Sequence, residues 1–348
     1  MIKNKSQFTI CIPTFNRGKR ALEQVEFLLA NIKKKWNWSI LVLDNDSNKE
    51  IKYYNKIKKL SKVNKILTYI KHDKNCYFHG NYLASITMSK TKYIMIMSDE
   101  DRPNVKDLNK VLSKILNDNN IGIIRGSIKS MVPNWYANSI QHINNYYHAG
   151  KEALEHYAFS NNYLSGTIYN RNIILNYHLH KRLESNLGKH AIYPHLYLES
   201  LLCAISDIKM VSRILSFEGV NEQTIDESGM ILGDVSVYKA PYTFGGRIDL
   251  MILLRDAVYE ALGLIDKDID MKLFFGLYFK IVEKTFFLIS KVNSPLYISS
   301  KLNIKYLQES LLYCAYASIL EYKEFKQIED NIKEILNKIY IKYKISND

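Results

Sequence analysis

The feature that most constrains this chain is a change of hydrophobic period, repeated through its first 130 residues. Short β-rich runs alternate with segments whose apolar residues recur at helical spacing. Residues 8–12 (FTICI) form a strand-like run stopped by Pro13. Residues 20–32 then place Ala21, Leu22, Val25, Leu28, Leu29 and Ile32 on one helical face. The same alternation predicts strands at 39–43, 66–70, 93–97 and 121–125, and helices at 51–60, 80–89 and 105–116. Strands separated by helices require right-handed crossovers, so the expected fold is α/β, a doubly wound and mostly parallel sheet. The run 93–97 (YIMIM) is apolar throughout, as a strand covered on both faces must be.

Beyond residue 130 the pattern loosens. Residues 163–169 read as a strand carrying Ser165–Gly166, and 193–205 as a buried helix. Residues 219–247 hold five glycines and few large apolar side chains, the composition of a mobile loop or lid. From 248 onward the spacing is helical. The expected organisation is an α/β domain over 1–235, divided near residue 130, followed by a helical region over 236–348.

Charge and cysteine content narrow the function classes. The 348 residues carry 48 Lys and Arg against 35 Asp and Glu, a formal charge of +13 that favours anionic partners without choosing among them. Cys11, Cys76, Cys203 and Cys314 form no CxxC pair, which argues against a zinc or dithiol site and fits reduced thiols. No apolar run approaches the roughly 18 residues that read as a membrane span. Pro13 and Asn16 cut short the first apolar stretch before it resembles a signal sequence. The expected location is the cytoplasm, with peripheral contact at the inner face of the membrane.

Ligands of such sheets bind beyond the carboxyl ends of the strands. Here the first strand ends in PTFNRG, the second in Asp44, Asn45, Asp46 and Ser47, and the fourth in Ser98, Asp99, Glu100 and Asp101. An isolated acidic pair is usually a helix cap or a solvated turn. Three polar strand ends on one rim are a stronger signal. If extended geometry continues past the fourth strand, Asp99 and Asp101 face one side. Two hard oxygen ligands there suit Mg²⁺ or Mn²⁺, which accept phosphate oxygens as further ligands.

The succession TICIPTFNR, LVLDNDS, KNCYFHGN and YIMIMSDED resembles the nucleotide-sugar-binding half of the family 2 glycosyltransferases, which have a GT-A fold. The resemblance covers about residues 7–130, fades between 160 and 220 and is absent from the C-terminal third. It implies a nucleotide-sugar donor, with a UDP-sugar foremost, and a glycan or lipid-linked acceptor in surface polysaccharide synthesis. It implies that Pro13, Thr14, Asn16 and Arg17 line the nucleotide pocket, that Asp44 contacts the base with Asn45 beside it, and that Asn81 lies near the pyrophosphate. Asp99 would approach ribose and metal, and Asp101 would be the direct metal ligand.

An inverting transfer also needs a base for the acceptor hydroxyl. The ED pair usual in that family is missing, and IYPHLYLES stands in its place. His195 and Glu199, four apart on one helical face, are the candidates; either is the base, or Glu199 orients His195. The plainer reading is a satisfied histidine at a helix start and a solvated glutamate. The C-terminal aromatic stripe (Phe274, Phe275, Leu277, Tyr278, Phe286, Phe287) reads first as core packing or a homo-oligomer face, and second as a basic membrane-surface contact. A dehydrogenase lacks support because Gly18 stands alone where GxGxxG is required. No nucleic-acid module is present, so nucleic acid is not an expected partner. The alternative class is a non-catalytic nucleotide-sugar or nucleic-acid binder.

Overall fold

The computed structural model describes residues 7–115, 118–130, 141–159, 163–186, 193–219, 244–290 and 304–343. The chain divides into two compact units, Met1–Glu222 and Gln223–Asp348. The glycine-rich segment expected to be a lid lies almost wholly in 220–243, outside the described residues.

The first unit opens with β1 (Phe8–Thr14), α1 (Gly18–Asn31), β2 (Trp38–Asp44), α2 (Ile51–Val63), β3 (Leu67–Lys71), α3 (Tyr77–Met88) and β4 (Tyr93–Ile96). It continues with β5 (Arg102–Pro103), α4 (Val105–Ile115), β6 (Ile121–Ser130), β7 (Asn145–Tyr147) and α5 (Lys151–His156). It closes with β8 (Thr167–Asn170), α6 (Arg171–Asn176), α7 (Leu179–Ser185), α8 (Pro194–Ile205) and β9 (Asp207–Glu218). Among the described residues the strands form one sheet in the order β3-β2-β1-β4-β8-β6-β9-β5, with β7 also on β9.

The first four strands are mutually parallel, as the alternation requires. β8 then inserts antiparallel between β4 and β6, so the expected fifth strand is not the neighbour of the fourth. β6 and β9 pair in parallel, and β5 pairs antiparallel with the end of β9. The sheet is therefore parallel across β3-β2-β1-β4 and mixed beyond it. Its core is made by Ile10, Ile12, Ile40, Val42, Tyr93 and Met95, packed against Val25 and Leu28 of α1 and Leu108 and Leu112 of α4. At roughly 25 cal/mol per Å² of apolar surface, this burial is what holds the strand ends in register.

The second unit is helical: α9 (Phe244–Ile265), α10 (Met271–Ser290), and two further helices at Ile304–Ile319 and Glu329–Tyr343. Phe274, Leu277, Tyr278 and Phe286 of the aromatic stripe are buried, while Phe287 is exposed. Phe274 packs with Tyr259, Tyr322 and Phe325 of the same unit. Among the described residues no helix is long and apolar enough to cross a membrane.

Candidate active site

The parallel register brings three strand ends to one rim. Thr14 and Asp44, the last residues of β1 and β2, are directly paired. Asn45 N–H donates to the Thr14 carbonyl at 3.0 Å. The Thr14 hydroxyl donates to Asp99 Oδ2 at 2.8 Å, and the Tyr54 hydroxyl lies 3.0 Å from it. Asp44, Thr14 and Asp99 thus stand in one row across β2, β1 and the exit of β4. Pro13 occupies the preceding position of β1, paired with Leu43.

The loops behind this row are shaped by non-glycine residues in the left-handed region, Asn16 at φ 55° and Asp46 at φ 60°. Such conformations persist where surrounding contacts impose them. Asn16 N–H donates to Ser47 Oγ at 2.8 Å, and its Oδ1 accepts from Asn48 N–H and Lys49 N–H, each at 2.9 Å. Asp44 Oδ1 accepts from Ser47 N–H at 2.8 Å and Oδ2 from the Tyr69 hydroxyl at 2.6 Å. Burial and the Asp44 carboxylate raise the Tyr69 phenol, which stays a donor. Asp44 is 1% exposed, but each of its oxygens keeps a second lone pair.

Asn45 and Asn81 also serve the frame. Asn45 Oδ1 accepts from Cys76 N–H at 2.9 Å, and Asn45 Nδ2 donates to Asn75 Oδ1 at 2.8 Å. Asn81 donates to the Leu43 carbonyl at 3.1 Å and its Oδ1 meets His72 Nε2 at 3.1 Å. These contacts tie the loop before α3 to the end of β2.

The expectation that Asp99 and Asp101 face one side fails. The chain turns at once after β4, with Asp101 N–H donating to the Ser98 carbonyl at 3.2 Å, so the extended alternation ends before the aspartates. Asp99 is held by Thr14 and by Arg17, whose Nη2 is 2.8 Å from Asp99 Oδ1. Arg17 also pairs with Glu100, which lies 3.6 Å from Arg20. Asp101 turns toward other partners: its Oδ1 accepts from the Tyr163 hydroxyl at 2.7 Å and from Gly219 N–H at 2.9 Å. Asp101 Oδ2 is buried and has no hydrogen-bond donor.

Burial pushes the Asp99 carboxyl up to about 6 against the opposing pull of Arg17 and Thr14. Burial likewise raises Asp101 to about 6, with Glu100 adding to it. Glu218, the last residue of β9, is raised to about 7 by burial and then by the charges of Asp101 and Glu100. The rim is thus overloaded with negative charge, which a divalent cation relieves. Among the described residues no three His, Cys, Asp or Glu side chains form a ready cage. A cation here would be held by Asp101 and would take its remaining ligands from phosphate and water, the habit of Mg²⁺.

Tyr54, Tyr69, Tyr163 and Glu218 were not evident from sequence. The tyrosines come from helix, strand and loop positions without a local motif, and Glu218 is placed by the pairing of β9 with β6 and, one residue before it, with β5.

α8 carries the two candidates for proton transfer. Glu199 is fully committed: its Oε1 accepts from the Tyr169 hydroxyl at 2.6 Å and its Oε2 from Tyr157 at 3.0 Å. Burial raises its carboxyl, while Arg125 and the two tyrosines pull it down. It is therefore a buried, hydrogen-bonded glutamate rather than a solvated one. His195 is 2% exposed and packs against Tyr82 and Tyr193. The two share a helix, and Tyr82, raised by burial and by the Glu199 charge, lies between their surroundings.

Comparison with known proteins accords with this geometry. The family model described as "Glycosyl transferase family 2" matches residues 9–177. A search of curated protein sequences finds no match. Among solved structures, S. aureus TarS 1–349 is similar, with a TM-score of 0.56 at 10% identity over 98% of this chain and 93% of that one. TarS 1–349 in complex with UDP-GlcNAc gives 0.52 at 12% identity over 88% and 91%. The complex with UDP gives 0.51 at 11% identity over the same shares. At such identity the likeness establishes the fold. Residues 9–177 match the family 2 glycosyltransferase model, and the fold is of GT-A type.

Proposed function

We propose that the protein transfers a sugar from a nucleoside-diphosphate donor, a UDP-sugar, to a hydroxyl of a glycan or lipid-linked acceptor in surface polysaccharide synthesis, with inversion at the anomeric carbon. The observation that carries this reading is the row Asp44–Thr14–Asp99, with Arg17 beside it and Asp101 next in chain. A row of this kind offers acceptors to a base and ribose at one end. At the other it offers a guanidinium and a carboxylate to a diphosphate. TarS, a structural neighbour, binds UDP and UDP-GlcNAc in the complexes compared above, which supports the choice of nucleotide.

When bound, Mn²⁺ or Mg²⁺ supplies neutralisation of the charge that builds on the departing diphosphate. The chain's own residues supply the rest. Arg17 keeps its bond to Asp99 and offers its remaining N–H groups to phosphate. Asp44 accepts from the base through its remaining lone pairs, with Asn45 and Asn81 fixing the loops around it. His195 takes the acceptor proton as the new C–O bond forms and the bond to the diphosphate breaks. Glu199, gripped by two tyrosines, holds α8 in place as a positioning residue. The charge of +13 suits an acceptor bearing phosphate or pyrophosphate at an anionic membrane face.

The test is release of UDP from a panel of UDP-sugars with Mn²⁺, Mg²⁺ or chelator, with and without glycan acceptors. Metal-dependent release supports the reading. Full activity in chelator overturns the metal, and absence of release with any nucleotide sugar overturns the donor class.

A further inference from the structure

Resting on that reading, we infer that the divalent cation is gripped by Asp101 together with Glu218, across two chain segments, and not by the Asp99–Asp101 pair. Asp99 is already spent. Both of its oxygens are engaged, one by the Thr14 hydroxyl and one by the Arg17 guanidinium. Each bond also places a donor where a cation would need to sit.

Asp101 and Glu218 are in the opposite condition. Asp101 is 1% exposed and Glu218 is 9% exposed. Asp101 Oδ2 and Glu218 Oε2 are both buried without a hydrogen-bond donor. A buried carboxylate oxygen without a partner is costly. A divalent ion removes that cost for both at once.

The fold sets the pair in place by a ladder of two residues. Arg102 pairs with Phe217 and Pro103 with Ser216, antiparallel. Asp101 immediately precedes this ladder on one side, and Glu218 immediately follows it on the other. Gly219 closes the arrangement. Its N–H donates to Asp101 Oδ1 at 2.9 Å, which turns the other oxygen of Asp101 away from the backbone. A Cβ on Gly219 would fall 1.9 Å from the Glu100 carbonyl oxygen, so only glycine lets β9 end this close to the turn. Tyr163 completes the frame from the side of β8 by donating to Asp101 Oδ1 at 2.7 Å. Two carboxylates from separate segments leave the other positions of the ion open to diphosphate oxygens and water.

Mn²⁺ binding to the full chain, read as loss of the free-ion electron spin resonance signal, tests this without turnover. Titrations are made with and without UDP on wild type, Asp101→Asn, Glu218→Gln and Asp99→Asn. Glu218→Gln nearly preserves shape, and circular dichroism checks its fold. We expect Glu218→Gln and Asp101→Asn to weaken Mn²⁺ by about tenfold or more, at least the loss seen for outer-shell partners. Asp99→Asn without UDP should stay within about threefold of wild type, well short of the loss expected when a metal-site partner is removed. Unchanged Mn²⁺ affinity in Glu218→Gln, with Asp101→Asn deficient, would overturn this inference and leave the metal reading standing. Wild type that binds no Mn²⁺ even with UDP would sink both.

Discussion

Thr14 joins the two halves of the rim through one hydroxyl, which donates to Asp99 and meets Tyr54. Replacing it with valine keeps the β-branched shape and removes the donor. The Asp99 carboxylate would lose one of its two compensating groups while staying buried. Thr14→Val should therefore cost about 2 kcal/mol of stability at pH 7.5, the range for a hydrogen bond to a charged group. Urea denaturation reads it, and a midpoint equal to wild type would show the bond to be idle. At the same scale, His195→Ala should lower kcat about a hundredfold or more with little change in donor KM, the size expected of a general base. Wild-type turnover in that variant would remove His195 from the chemistry. Single residues were legible in sequence where they follow a strand directly, as Thr14, Arg17, Asp44 and Asp101 do. Asp99 takes Thr14 and Arg17 as partners, because a tight turn after β4 replaces the extended geometry that would align it with Asp101. Glu218 was invisible: Gly219, beside it, meets Asp101 from 118 residues further along the chain.

At the level of elements, the end of β9 and the turn after β4 act as one piece. Gly219→Ala would force the Glu100 carbonyl and the strand end apart. The expected result is a loss of about 1–3 kcal/mol, typical of overpacking, together with weakened Mn²⁺ binding. Full stability and full Mn²⁺ affinity would show that the close approach does not matter. The first four strands and their helices could be read from hydrophobic period because each crossover is local and right-handed. The insertion of β8 could not. A strand was expected over 163–169, but nothing local in TIYN says that it runs antiparallel beside β4. β5, with two residues, is defined only by its partner. The buried helix α8 was legible as buried, but its tyrosine grip on Glu199 depends on α5 and β8, which converge on it from elsewhere in the chain.

Taken as a whole, the molecule carries an acidic rim in a basic chain, and pH should reveal it. Asp99 and Asp101, raised from 3.8 to about 6, and Glu218, raised from 4.5 to about 7, bind more protons folded than unfolded across the interval between those values. Stability from these groups is therefore complete below pH 4 and falls as pH rises through about 6 to 7. The metal-free protein should lose thermal stability from this source between pH 5 and pH 7.5. Mn²⁺ with UDP should restore it at pH 7.5 and do little at pH 5, where the carboxyls are protonated. Equal Mn²⁺–UDP stabilisation at both values would contradict the raised carboxyls. The most direct test of the central claim, that this rim holds a nucleoside diphosphate through a cation, is calorimetric titration of UDP into wild type and Asp101→Asn with Mn²⁺ or with chelator. The account predicts that Mn²⁺ tightens UDP binding to wild type at least about tenfold, the equivalent of 1.4 kcal/mol, and leaves Asp101→Asn unmoved. The same UDP affinity for wild type in Mn²⁺ and in chelator would contradict it.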